Sequence, residues 1–287
     1  MEFLILLGIG LTIGGVAVAM DEDNDAADTT GETVTGTEEQ DVLTGTELDD
    51  TVFGDPGDDA IEGAAGDDWL RGGVDSDVVL GGSGDDSISG SLGADWLQGD
   101  QGEDTLTGGF GADGLYGGEG ADSILGGAGD DLLSGGVMYE VPQSEAADAL
   151  DDFQGGLDVR FTPEYSNVSD DNTSDTLVGG EGWDTLIAGD GDVLIGGGGS
   201  NDFVTGYWAD GSSAAVITDF NLDEDALFYY YVEAEPPQLT VETLDNEVGG
   251  QDSVLYADGV AVMHVNDTGG RFDLNTHVRL ARSYALT

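Results

Sequence analysis

The chain has 287 residues, 61 acidic against five basic, a formal charge of −56 and no cysteine. That balance excludes a nucleic-acid partner, because phosphates need cations to neutralise them, and it opposes anionic membrane surfaces. Without cysteine there is no disulfide, no thiol nucleophile and no Cys-based zinc site.

Fifty glycines beside 39 % hydrophobic residues signal either disorder or a repeat, and periodicity decides between them. The cheapest offset for so much negative charge is a divalent cation.

Residues 1–20 stand apart from the rest. Residues 3–20 carry no charge and would span about 27 Å as a helix, close to a hydrocarbon core of about 30 Å. Ala17 and Ala19 form an A-x-A pattern, so the segment reads either as a cleaved signal or as an uncleaved membrane tether. Glu2, with no Lys or Arg nearby, suits neither reading well. Residues 21–35 read as an acidic linker.

From Gly36 to Ser134 the chain keeps a nine-residue period through eleven units. Examples are GDPGDDAIE (54–62), GAAGDDWLR (63–71) and GGAGDDLLS (126–134). Position one is always Gly. Position six is always Asp: Asp41, Asp50, Asp59, Asp68, Asp77, Asp86, Asp95, Asp104, Asp113, Asp122 and Asp131. Position eight is always aliphatic, from Leu43 to Leu133.

Each column has a physical reason. The glycine-rich half turns tightly and lets carbonyls approach a ligand. The triplet after it is a minimal strand that points one aliphatic side chain inward and two residues outward. Stacked units bury a continuous apolar ladder that no single unit could bury. An Asp between turn and strand, with turn carbonyls beside it, offers the hard oxygen ligands that suit calcium.

This G-G-x-G-x-D-x-U-x pattern resembles the RTX (repeats-in-toxin) family of hemolysin-type calcium-binding proteins. The resemblance implies an all-β fold, a parallel β-roll with two nonapeptides per turn and calcium in the turns. Asp59 then stacks with Asp77 and Asp68 with Asp86, giving up to about nine ions in the first block. The implied ligands are Asp59, Asp68, Asp77, Asp86, Asp95, Asp104, Asp113, Asp122 and Asp131. Asp41 and Asp50 are expected to be weaker. Their units carry Thr37 and Thr46 at position two and Glu39 and Leu48 at position four, so this end should cap the roll.

A second block spans 173–206, after the first at 36–136. Asp175, Asp184, Asp192 and Asp202 take the Asp position, Asp184 as a full ligand and the others as weaker ones. The spacing slips to eight and then ten at Asp192 and Asp202, which predicts an irregular last turn. Residues 137–172 form an acidic insertion, read as a loop on one face of the solenoid with a short helix over 144–153 as the other reading.

Residues 207–287 lose glycine and gain aromatics, and are read as a small antiparallel β cap with a hairpin at Asp258-Gly259. The resemblance implies type I secretion through this segment. At the outward positions seven and nine, odd-numbered units are the more apolar, with Val42, Val78, Leu80, Trp96, Tyr116 and Leu132.

Catalytic motifs are not found: His264 and His277 form no HExxH and there is no GxSxG. The chain therefore reads as a non-enzymatic, secreted or surface calcium-binding protein that folds on meeting extracellular calcium. The alternatives are a surface or matrix interaction protein using the roll as scaffold, and a hydrolase with an unrecognised site in the C-terminal module.

Overall fold

The computed structural model describes residues 16–18, 31–138, 168–171, 173–209, 213–232, 235–246 and 248–282. The helix-or-loop reading of 144–153 and most of the 1–20 segment lie outside these residues. Among the described residues no helix is long and apolar enough to cross a membrane.

Each nonapeptide contributes one strand, and successive strands alternate between two parallel sheets. Sheet A takes Val42–Thr44, Ala60–Ala65, Val78–Ser83, Trp96–Gln101, Gly114–Glu119 and Leu132–Ser134. Sheet B takes Thr51–Pro56, Trp69–Val74, Ser87–Leu92, Thr105–Phe110 and Ser123–Ala128. The registers stack like on like. Leu43, Ile61, Val79, Leu97, Leu115 and Leu133 follow one another in sheet A. Val52, Leu70, Ile88, Leu106 and Ile124 do so in sheet B.

These position-eight side chains are fully buried and form one core between the sheets. Burial of an aliphatic side chain contributes roughly 1.5–3 kcal/mol, and here the gain comes only through stacking. The expected parallel β-roll is the fold.

Three boundaries differ from the sequence reading. The linker at 21–35 already contributes Thr33–Thr35 to sheet B, paired with Thr51–Phe53, and Val16–Val18 pairs with Val42–Thr44 at the edge of sheet A. The insertion is closed at its neck, where Val137–Met138 and Val168–Ser169 pair antiparallel.

The third difference is the cap. Only Leu239–Asp245, Gln251–Ala257 and Val260–Val265 are antiparallel neighbours. Ala215–Ile217 and Ala226–Tyr231 extend the two parallel sheets, and Val260–Val265 and Val278–Arg282 join them in parallel. The roll thus runs on past residue 206, because Leu227 and Ile217 are buried in the same ladder after the nonapeptide motif has faded. The hairpin at Asp258-Gly259 is present, both residues having positive φ (51° and 85°).

Candidate metal centre

The Asp columns run along the two edges of the roll where turn meets strand. Along one edge the Asp41 N–H donates to Asp59 Oδ1 at 2.8 Å, Asp59 to Asp77 at 2.9 Å, and so on through Asp95, Asp113, Asp131 and Asp184. The other edge repeats this through Asp50, Asp68, Asp86, Asp104, Asp122, Asp175 and Asp192. The predicted stacking of residues 18 apart is therefore seen, as a backbone N–H donated to the carboxylate one turn on.

That bond satisfies only Oδ1. The second oxygen, Oδ2, is buried without a hydrogen-bond partner in Asp59, Asp68, Asp77, Asp86, Asp95, Asp104, Asp113, Asp122, Asp131 and Asp184. These ten are the residues that the sequence marks as full ligands. At the N-terminal end the atom is satisfied instead. Thr37 donates its N–H and hydroxyl to Asp41 Oδ2, and Thr46 does the same to Asp50 Oδ2.

The turns differ in the same place. All nine units from Gly54 to Ser134 take positive φ at positions two and four, even where position two is Asp55, Ala64, Ser91 or Asp100 and position four is Asp75. Among the described residues the first two units take none there. The two units read from sequence as weaker sites and a cap thus differ from the other nine in the turn itself.

Asp192 Oδ2 accepts the Gly189 N–H at 2.7 Å, and Asp175 accepts from Asp122. Asp202 is a correction. The slot expected for it holds Asn201, whose Oδ1 accepts the Asp184 N–H at 3.0 Å. Phe203 is the inward residue there, so the unit begins at Gly196. A one-residue slip sends a strand residue to the other face, and Asp202 pairs with Thr185 on the outer one. Asp225 was missed: its Oδ1 accepts the Asn201 N–H at 2.8 Å, continuing the column. The signal was Asp225-Ala-Leu227, an Asp two residues before an inward aliphatic.

Burial without full pairing pushes these carboxyls up, and each donated N–H opposes it. Asp59, Asp68 and Asp104 reach about 6; Asp86, Asp95, Asp113, Asp131 and Asp184 about 7. Asp122 and Asp175 reach about 8 and Asp77 about 9, with neighbouring Asp charges adding to burial. Asp192 reaches about 6, again through burial.

A bare glycine completes each setting. A Cβ added at Gly54 would stand 2.5 Å from Asp59 Oδ2 and 2.6 Å from the Gly72 carbonyl oxygen. At Gly45 it would stand 2.5 Å from both Asp50 Oδ2 and the Gly63 carbonyl oxygen. Position one is glycine because a carboxylate and a carbonyl from the next turn converge above it.

Among the described residues no three His, Cys, Asp or Glu side chains gather as a metal cage. What the turns do offer is a buried carboxylate oxygen beside a backbone carbonyl, hard oxygens of the kind that fit calcium. The histidines belong elsewhere: His264 Nε2 lies 3.3 Å from Asp252 Oδ2, and His277 Nδ1 accepts the Asp273 N–H at 2.8 Å.

A parallel β-roll whose turns set a buried, half-satisfied carboxylate beside a backbone carbonyl at each repeat has the architecture of a solenoid suited to cations. Residues 28–59, 44–79, 80–115, 108–137 and 178–210 match the RTX calcium-binding nonapeptide repeat. Both repeat blocks belong to that family, and the chain thus carries calcium-binding repeats.

None of the curated proteins compared with the chain matches it. Among solved structures, the extracellular lipase LipA from Serratia marcescens matches over 93 % of this chain and 42 % of its own, at 18 % identity and a TM-score of 0.24. The chain spans less than half of that lipase, and a match at that score carries nothing about activity.

Proposed function

We propose that this chain is a secreted or cell-surface calcium-binding protein, without enzymatic activity of its own, whose roll folds when it meets extracellular calcium. The observation that carries the reading is the set of ten buried Oδ2 atoms without partners, one at each full repeat. Without a counter-ion these carboxylates repel along both columns, and the −56 charge of the chain opposes compaction further.

Asp59 to Asp131 and Asp184 are the side chains that would hold calcium, with turn carbonyls such as that of Gly72. Bound there, calcium supplies positive charge and the missing coordination for the orphaned oxygens. The chain's own residues do the rest. The N–H of each Asp fixes the carboxylate one turn on, and the glycine at position one keeps the approach open.

Calcium-specific free energy then becomes folding free energy. Sites of the extracellular type bind at about 10⁻⁴–10⁻³ M, so they stay empty in a cytoplasm and fill outside it. Such a difference suits export of an unfolded chain, in keeping with type I secretion.

The test is circular dichroism of the purified chain at neutral pH in chelator and in millimolar calcium. The strand signal is expected only with calcium, and a complete roll in excess chelator would overturn the proposal.

A further inference from the structure

We infer that the outer face of sheet B is where two copies of this chain pack together, related by a two-fold axis along the roll. Side chains at positions seven and nine point outward from each strand. Nine successive strands of sheet B, from Thr33–Thr35 to Ala215–Ile217, carry them. These outward residues are Ser, Thr, Val, Leu, Ile, Phe or Trp, and Arg71 is the one charge among them. None of them is buried, and Trp69 is 50 % and Leu125 41 % exposed. In a chain of charge −56 this exposed face holds no carboxylate.

The two turn edges beside it differ from each other. Where sheet B strands end, position three is Pro56, Val74, Leu92, Phe110 and Ala128, stacked in that order. Val74, Leu92 and Phe110 are exposed, Phe110 by 66 %. Exposed Asp55 and Asp75 flank only the first part of this ridge. Where sheet B strands begin, the edge shows Glu47, Asp49, Asp67, Asp85, Glu103 and Glu119, all exposed.

Charge decides the occupant and its orientation. Two copies repel along their acidic edges, so they pair only with those edges apart. A two-fold axis along the roll does that. It keeps each strand opposite its own copy and lays the acidic edge of one chain over the apolar ridge of the other. Position nine then meets position seven, which brings Arg71 over Trp69, a cation–π pairing, with Asp67 beside it. Both partners are already held: Arg71 Nε donates to Ser91 Oγ at 3.1 Å, and Trp69 packs edge to face on Phe53 at 5.3 Å.

The dimensions suffice. Nine strands at about 4.8 Å spacing span about 38 Å, and the face with its ridge is about 16 Å wide. A pair of such faces buries on the order of 1,000 Å², the size a specific interface should reach. Both faces repeat at the same spacing, so a copy of the roll matches along the whole length. Charges more than about 8 Å away are screened at physiological ionic strength, and the rest of the repulsion fades as salt rises.

Analytical ultracentrifugation of the full chain at about 100 μM in millimolar calcium tests this. A dimer is expected, with a fraction that grows from 0.15 M to 1 M NaCl. Thr105→Asp with Ser123→Asp, both at exposed positions, should give a monomer that keeps the strand signal. The chain has no cysteine, so Thr51→Cys and Thr176→Cys variants report the orientation. Each should cross-link to its own copy with a short bismaleimide. A monomer at every salt concentration would overturn the inference, as would a dimer that the two Asp substitutions leave intact. So would cross-linking only in a mixture of the two variants, since the rolls would then run in opposite directions. The pairing needs the roll and not the metal. The strand signal on the same sample separates its failure from failure of the calcium-dependent fold.

Discussion

Asp122 and Asp175 lie 53 positions apart in the chain and one turn apart in the roll: the Asp122 N–H donates to Asp175 Oδ1 at 2.8 Å. Within the uninterrupted block the same bond joins residues 18 apart. The insertion is therefore looped out with the phase of both sheets kept, and Ile124 still stacks on Leu177 and Leu133 on Leu186. A break in sequence periodicity leaves the ladder of carboxylates unbroken.

Those carboxylates set a pH dependence for the metal-free chain. Those with an unpaired Oδ2 are raised in the fold above the ordinary 3.8, to between about 6 for Asp59 and about 9 for Asp77. A raised carboxyl favours the fold while protonated. Its contribution is full below pH 3.8 and is lost as pH rises through about 6 to 9. In chelator the strand signal should accordingly be stronger at pH 4.5 than at pH 8.5. In millimolar calcium the order should reverse, because ligation needs the ionised form. Melts followed by circular dichroism at both pH values check this.

Asp86→Asn removes one charge and keeps the Oδ1 acceptor for the Asp68 N–H. Asn201 already shows that an amide fits this slot. The metal-free chain should gain roughly 1–3 kcal/mol at pH 8, because the buried charge of a carboxyl raised to about 7 is removed, although the amide nitrogen stays unpaired as that of Asn201 does. Calcium stoichiometry by isothermal titration should fall, and its midpoint should move to higher concentration. An unchanged titration would contradict the assignment of Asp86 as a ligand.

Glycine at position one and residues at position two make opposite predictions. Gly54→Ala places a methyl against Asp59 Oδ2 and the Gly72 carbonyl and should cost about 1–3 kcal/mol, with loss of the ion at that unit. Ala64→Gly relieves an alanine at φ 82° and should stabilise by up to about 1 kcal/mol, since left-handed backbone costs a non-glycine residue about that much. Denaturant melts in calcium distinguish the two.

Thr46→Val tests the N-terminal cap. It deletes the hydroxyl donated to Asp50 Oδ2 at 3.0 Å and should cost about 1 kcal/mol. Calcium stoichiometry should stay the same, since Asp50 is satisfied by protein donors. A lower stoichiometry would place an ion at Asp50 after all.

Leu97→Ala probes the stacked core. Leu97 is fully buried between Val79 and Leu115 of sheet A, and its truncation should cost about 2–5 kcal/mol. The same change at Leu92, which is exposed, should move the melt little.

Much of this protein was settled by the sequence alone. A period of nine with Gly, Asp and an aliphatic residue at fixed phases determines the strand, the inward side chain and the carboxylate beside the turn. It does so because each unit repeats the same local chemistry. It also singled out the ten carboxylates whose Oδ2 is left without a partner from Asp41 and Asp50, whose Oδ2 the Thr at position two satisfies.

Only the tertiary structure decided what depends on pairing between distant strands. Asn201 rather than Asp202 fills the slot, because the inward placement of Phe203 sets the register of its strand. The roll continues through Asp225 and Leu227 because burial in the ladder, not the nonapeptide, recruits those strands. The sequence marks the odd-numbered units as more apolar at their outward positions, but that Trp96, Tyr116 and Leu132 are buried together while Trp69 and Leu125 of sheet B stay exposed is a tertiary outcome, since it depends on stacking strands from distant units.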